Sequence, residues 1–367
     1  MNNIKKILII TLLTVINSSL IYSQEEDNVE EVVVISSKIP VPLSEVVGSV
    51  TLITQDDLEA RVVSDLGDIL ENTVGVSVPR NSQYGRYYNE GISIRGLGGS
   101  RVNIFVDGVR VSDAYAGYGR DVVEVDLLKR VEILKGPTSA LYGSDGLAGA
   151  VSYVTKDASD FTESGFHYSA RYSHFSDSDQ EKYSFLSAYV GERVEGILQF
   201  TNKNSSEMNL HDDAVQNPNP VRSEGESILG KFTFDLNDNI DITFTLDSQE
   251  WTSDIVVLTD IGSTFYPGLS TLSTTSSSVG ADEGSRERIG LRVDFKGQNN
   301  LFDNGTFNLF SQSTDQQQIT NKMVADMVFG QFGPMGPPTP GMLFRDFQFN
   351  QSVSGMALEL RKSYDNF

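Results

Sequence analysis

Three histidines, His167, His174 and His211, and no cysteine make up the imidazole and thiol inventory of this 367-residue chain. They are scattered rather than set at metal-ligand spacing, and no Ser/His/Asp grouping or glycine-rich phosphate loop accompanies them, so the residue pattern indicates no enzyme. A different chemistry is on offer near the start. Val32-Val33-Val34-Ile35 is a β-branched run that follows an acidic segment, Gln24 to Glu31, too polar to pack into a core. Such a run can pair its backbone N–H donors and C=O acceptors with the edge of another protein's sheet, or it can be the first strand of the domain behind it.

These residues need an address and a scaffold. Lys5 and Lys6, the apolar run Ile7 to Ile16 and small Ser23 have the layout of a secretory signal peptide over residues 1–23, too short to span hydrocarbon, which takes roughly 20 residues. Residues 24–39 then read as a flexible segment. The formal charge of −22 becomes more negative still once both lysines leave, which excludes nucleic acid as a partner and fits a solvated outer surface. No later stretch is continuously apolar, so a membrane crossing would need a closed β-barrel.

Residues 40–157 read as a compact α+β domain. Thr54 offers an N-cap with Asp57 three places on, and Asp65 to Leu70 reads as a second helix. Strands are expected at Ile92 to Ile94, Val102 to Val106, Val131 to Leu134 and Ala150 to Thr155, with Gly96, Gly108 and Gly136 at turns that need positive φ. From residue 160 to 367 the texture changes to runs of about ten residues in which apolar and polar positions alternate, as in barrel strands. Phe166, Tyr168, Ala170 and Tyr172 share one face of the first. Seven more are expected within 182–190, 193–202, 226–235, 240–250, 286–296, 306–313 and 354–361. The links alternate: short at 191–192, 236–239 and 297–303, long at 175–181, 203–225, 251–285 and 314–353, as periplasmic turns and outer loops do. Phe329 to Gly341, rich in proline and glycine, reads as an external loop outside any ladder. Eight strands enclose little more than side chains, so the wall is expected to be the truncated start of a larger barrel.

Several segments together resemble the TonB-dependent outer-membrane receptors. Glu31-Val32-Val33-Val34-Ile35-Ser36 resembles the family's energy-coupling box. Ile92-Ser-Ile-Arg95-Gly96 with Val106-Asp107-Gly108-Val109 resembles the central plug motif. Arg130-Val-Glu132-Ile-Leu-Lys-Gly136-Pro137 and Ser139-Ala-Leu-Tyr142-Gly143-Ser144 resemble the motif that closes the plug. The resemblance implies an α+β plug inside an antiparallel transmembrane β-barrel in the outer membrane, set in outer-membrane lipid, with the TonB protein as periplasmic partner. It also makes Arg95, Arg130, Glu132 and Lys135 candidates for charge pairs with the barrel wall, since charges inside a barrel need partners.

A finer resemblance points to the haem and haemoglobin receptors, carried by Tyr118-Gly-Arg-Asp121, Asp126-Leu-Leu-Lys-Arg130, Asn217-Pro-Asn-Pro220 and Ser227-Ile-Leu-Gly-Lys231. It implies haem as transported cargo, taken free or from a carrier protein, with no permanently bound cofactor. Where that branch often places a plug histidine, this chain has Tyr84, Tyr87 and Tyr88, and tyrosinate is an accepted haem ligand. Stacking or loop packing is the alternative role for these tyrosines. His211, beside Asp212 and Asp213, is a further candidate. Ferric siderophores and cobalamin are the rival cargoes, and a surface-binding protein without transport is the rival class.

Overall fold

The computed structural model describes residues 32–33, 35, 41–46, 48–61, 63, 66–78, 92–111, 123–143, 145–209, 219–297 and 302–362. The segment expected to be a signal peptide lies outside them, as do Tyr84, Tyr87, Tyr88 and His211.

The first unit is built on a five-stranded sheet. Short strands β1 (Val32–Val33) and β2 (Val41–Pro42) pair with each other, and β3 (Ser49–Ile53) enters the sheet. Helices α1 (Gln55–Ala60) and α2 (Leu66–Glu71) follow. Helix α1 starts where the sequence places it: the Thr54 hydroxyl accepts from the Asp57 N–H at 3.3 Å, and the Asp57 carboxylate accepts from the Thr54 N–H at 3.1 Å. After β4 (Val76–Ser77) and β5 (Ser93–Ile94), a mutual pair, come β6 (Val102–Val106), β7 (Val109–Arg110) and β8 (Leu128–Lys135). Helix α3 (Ser139–Tyr142) and β9 (Gly149–Thr155) complete the unit. The sheet order is β3-β8-β9-β6-β7, with only β6 and β9 parallel. Ile69, Leu70, Ile94, Val106, Val131 and Ile133 are wholly buried in its core. Strands β2, β3, β4 and β7 are additions to the strands expected from the sequence.

The second unit is one antiparallel sheet: β10 (Gly165–Phe175), β11 (Gln180–Val190), β12 (Val194–Ser206), β13 (Val221–Asn237), β14 (Ile240–Val256), a short β15 (Gly262–Tyr266), β16 (Thr271–Lys296), β17 (Asn304–Gly330), a short β18 (Gly333–Pro334) and β19 (Thr339–Arg361). The eight long strands are those expected, each paired to the next. Their period of two is clean in β11. Tyr183, Phe185 and Tyr189 face out and are exposed, while Lys182, Ser184, Leu186 and Ala188 face in and are buried. Aromatic pairs tie the outer face together: Phe166 with Tyr189 at 4.5 Å and Tyr172 with Tyr183 at 5.0 Å between ring centroids. Among the described residues no helix is long and apolar enough to cross a membrane, which says nothing of crossing by strands.

The loops expected at 251–285 and 314–353 are corrected. They continue the ladders: β16 pairs with β14 from Ile240↔Phe295 to Val256↔Val279, and β17 pairs with β19 from Asn304↔Arg361 to Asp326↔Thr339. A membrane-spanning strand needs about 9–11 residues. In the added lengths, polar residues such as Thr274, Thr275, Gln316 and Gln317 occupy both faces and erase the alternation. The proline-rich stretch is corrected likewise. Phe329 and Gly330 pair with β18, and Pro340 sits in β19 opposite Ala325. Among the described strands β19 pairs along one edge, the position where a sheet tolerates proline.

Two glycines let the plug strands meet. A Cβ on Gly146 would strike Thr138 Oγ1 and lie 2.6 Å from Asn103 Nδ2, and one on Gly149 would strike Leu134 O and lie 2.8 Å from Ile94 Cδ1. Gly149→Ala should therefore lower the opening free energy of the β8–β9 pair by about 1–3 kcal/mol, read as faster amide hydrogen exchange in those strands with the outer sheet unchanged.

Candidate coupling and gating site

Between the strand-forming run near the start and the wall, two clusters of polar side chains hold the plug. The first lies beneath the run. Strand β1 pairs with β2 in the register Val32↔Pro42 and Val33↔Val41, so the run turns back on its own chain. Ile35 then enters the plug. Its side chain is 1% exposed, in a cluster with Phe105 and Ala150 that Val50, Leu134 and Tyr142 surround. Both of its backbone polar groups are held by side chains. The N–H donates to Glu132 Oε2 at 2.7 Å, and the C=O accepts from the Tyr142 hydroxyl at 2.8 Å. Arg130 Nε donates to the other oxygen of Glu132 at 2.8 Å. The Tyr142 ring rests on Phe105 with centroids 4.5 Å apart. Burial, with the Glu132 and Glu359 carboxylates nearby, pushes the Tyr142 phenol well above its usual range, so it stays a hydrogen-bond donor. Glu31, Val34 and Ser36 lie outside the described residues.

The second cluster joins plug to wall. Asp107 and Gly108 form the two-residue turn between β6 and β7, both at positive φ (47° and 79°). That turn aims the Asp107 carboxylate at the wall. It accepts from Thr155 N–H (2.9 Å), Thr155 Oγ1 (2.7 Å) and Arg288 Nη2 (2.6 Å), with Lys231 Nζ at 3.9 Å. Arg288 also donates to Val106 O, and Asp247 bridges Arg288 and Arg286 at 3.3 and 2.8 Å. Burial would raise the Asp107 pKa, but Lys231, Arg288 and the Thr155 bonds together hold it far below the usual carboxylate range. Nearby, Glu124 accepts from Lys182 at 3.2 Å and Lys203 at 2.7 Å, while its N–H donates to Gln249 at 3.0 Å. Here too burial works against the charge, yet Lys203 and Lys182 keep the pKa at about 2. Lys182 reaches Asp126, and Lys231 donates to Asp157 at 2.9 Å in the segment leading to the wall.

The expectation that Arg95, Arg130, Glu132 and Lys135 supply the plug's pairs with the wall is corrected. Arg130 pairs with Glu132 inside the plug, the Lys135 ammonium donates to Val74 O at 2.8 Å, and Arg95 is exposed. The wall is held by Asp107, Glu124, Asp126 and Asp157 instead. Arg95 and Gly96, at φ 52° and 80°, shape a tight turn in which the Arg95 N–H donates to Gly75 O at 2.7 Å. Gly136 (φ 143°) and Pro137 lead into α3, and Gly143 (φ 80°) ends it, which sets the Tyr142 hydroxyl against Ile35. The acidic residues carried no sequence signal of their role, because their partners stand on strands up to 181 residues away.

Residues 42–150 match the TonB-dependent Receptor Plug Domain family. A vitamin B12 transporter, BtuB of Vibrio vulnificus, is 35% identical over 137 residues, which cover 37% of this chain and 22% of the relative. In fold, the chain is similar to the ferripyoverdine receptor of the outer membrane of Pseudomonas aeruginosa bound to ferripyoverdine. The TM-score is 0.51 at 14% identity, over 89% of this chain and 51% of that one. It is likewise similar to P. aeruginosa FpvA bound to heterologous pyoverdines, at a TM-score of 0.51 and 13% identity, over 90% and 52% of the two chains. The chain thus spans about half the length of these structures, and its plug and antiparallel wall have their fold.

Two outcomes follow for the plug–wall contact. Arg288→Met would leave Asp107 short of its nearest cation and should weaken plug seating by about 3 kcal/mol, seen as faster exchange of the Thr155 amide. The folded pKa of Glu124 lies below its ordinary 4.5, so its stabilisation is complete above that pH and is lost as pH falls toward about 2. Exchange protection around Glu124 should therefore be flat from pH 5 to 8 and drop below that window.

Proposed function

We propose that this chain belongs to a TonB-dependent receptor that carries a metal-bearing chelate across the outer membrane, with residues 31–36 as the strand that pairs with TonB. The observation that carries the reading is a plug-domain match over residues 42–150 joined to a wall whose apolar face points out and whose charged face grips the plug. A wall with that polarity suits lipid outside and a filled lumen inside. Outer segments capture the cargo, the plug blocks the pore, and the inner machinery supplies the work, so uptake needs no cargo gradient. Backbone pairing transmits the pull from TonB to the plug. No step in this cycle makes or breaks a covalent bond, in keeping with relatives that are transport proteins.

For the cargo, haem is the reading carried from the sequence, with Tyr84, Tyr87 and Tyr88 as candidate iron contacts and His211 as a further one. Cobalamin is the second reading, favoured by the 35% identity to a vitamin B12 transporter, and ferric siderophores complete the set. All three are metal chelates too large for simple pores. Titrating the complete protein with haem, cyanocobalamin and a ferric siderophore separates them: a Soret change that alters in the Tyr84, Tyr87, Tyr88 triple Phe variant supports haem, whereas binding of cobalamin alone overturns it. Val33→Pro removes a ladder donor, so it should reduce uptake to background while leaving cargo affinity within about twofold. Persistent uptake in that variant would contradict the placement of the coupling strand.

A further inference from the structure

We infer that the plug and the first wall strand enclose a binding site for a small apolar carboxylate, anchored by the Lys156 ammonium. Neither the cargo nor the coupling partner enters it.

Where α1 and the start of β8 face β10, the two units leave a cavity of about 360 Å³. Sites that take small organic ligands have this size, roughly 300–1,000 Å³. Leu58, Val125, Leu128 and Phe175 give the cavity apolar walls. Its cations come from both units. Lys156 stands one residue past β9 in the plug, and Arg171 stands on β10 of the wall.

The charges do not balance at Lys156. Each carboxylate of the cavity has another cation: Glu59 lies 3.7 Å from Arg171, and Asp126 lies 3.4 Å from Lys182. Lys156 is only 6% exposed, yet among the described residues its ammonium forms no ion pair. It donates to Asp126 O at 2.7 Å, a carbonyl that also accepts from Gln199 at 2.9 Å, and it lies 5.6 Å from the centre of the Phe161 ring. An ammonium carries three donors, so two are left without a hydrogen-bond partner among the described residues. A buried cation without an anion is costly. Burial pushes the Lys156 pKa below its ordinary range, although Asp126 pulls it up. A carboxylate in the cavity supplies the missing charge and acceptors while its apolar body rests on the walls. A dianion fits less well, because Glu59 and Asp126 would repel the second charge. An occupant held by Lys156 and Arg171 bridges plug and wall, so it should also steady α1, which contributes Leu58 and Glu59 to the cavity.

The complete protein in detergent, with heat-modifiable migration as the check on folding, is titrated with fluorobenzoate and followed by fluorine NMR. Uncharged fluorobenzyl alcohol, with the same ring, is the control. Lys156→Met keeps the reach of the side chain and removes an unpaired buried charge, so the variant should fold. It should weaken fluorobenzoate binding roughly ten- to hundredfold, the scale of one charge-assisted hydrogen bond, and leave the alcohol unaffected. Arg171→Gln, at a half-exposed position, should weaken binding by no more than about fivefold. In the wild type, saturating fluorobenzoate should slow amide exchange across Gln55–Ala60. Fluorobenzoate binding that Lys156→Met leaves unaltered overturns the anchor, and equal binding of acid and alcohol reduces the cavity to an apolar void. Absence of saturable binding to the wild type, or exchange in Gln55–Ala60 that fluorobenzoate does not change, overturns the site without recourse to any variant.

Discussion

A sheet that turns its apolar side chains outward is left with a polar inner face, and that face must be satisfied. In this chain it presents Lys182, Lys203, Lys231, Arg286 and Arg288, and the plug answers with Glu124, Asp126, Asp107 and Asp157 while Asp247 is supplied by the wall itself. Removing such charges from water costs several kcal/mol per ion, so the arrangement stands only while both sides are present. That mutual need explains the rest of the architecture. The left-handed backbone that a two-residue hairpin turn requires at Asp107 and Gly108 carries the carboxylate to Arg288, and the stretch before β8 places Glu124 between two lysines of the wall.

The same constraint separates what was legible in the sequence from what was not. Local features were readable. The capping box at Thr54 and Asp57 depends on residues three apart, and the wall strands from β10 to β14 announce themselves by apolar and polar positions that alternate. Features that depend on distant partners were not readable. Arg130 and Lys135 are the conspicuous charges of the plug motifs, yet they bond within the plug, at Glu132 and Val74. Glu124 looks like an ordinary surface acid until the fold brings Lys182 and Lys203 to it. The far halves of β16, β17 and β19 are not legible because polar residues there occupy both faces and leave no alternation.

Ile35 lies between these cases. The strand character of residues 32–35 was plain from their branching, with the choice between partner's strand and domain's strand left open. Among the described residues, Ile35 is held by its own domain through Glu132 and Tyr142, next to the short β1–β2 pair.

On the proposed function, work done on this segment drives cargo past the plug. Cells carrying the complete receptor are given labelled cargo with and without a protonophore, and surface-bound and periplasmic label are counted separately. Collapsing the proton gradient should leave surface binding intact and stop periplasmic accumulation. Accumulation that continues without the gradient would contradict it.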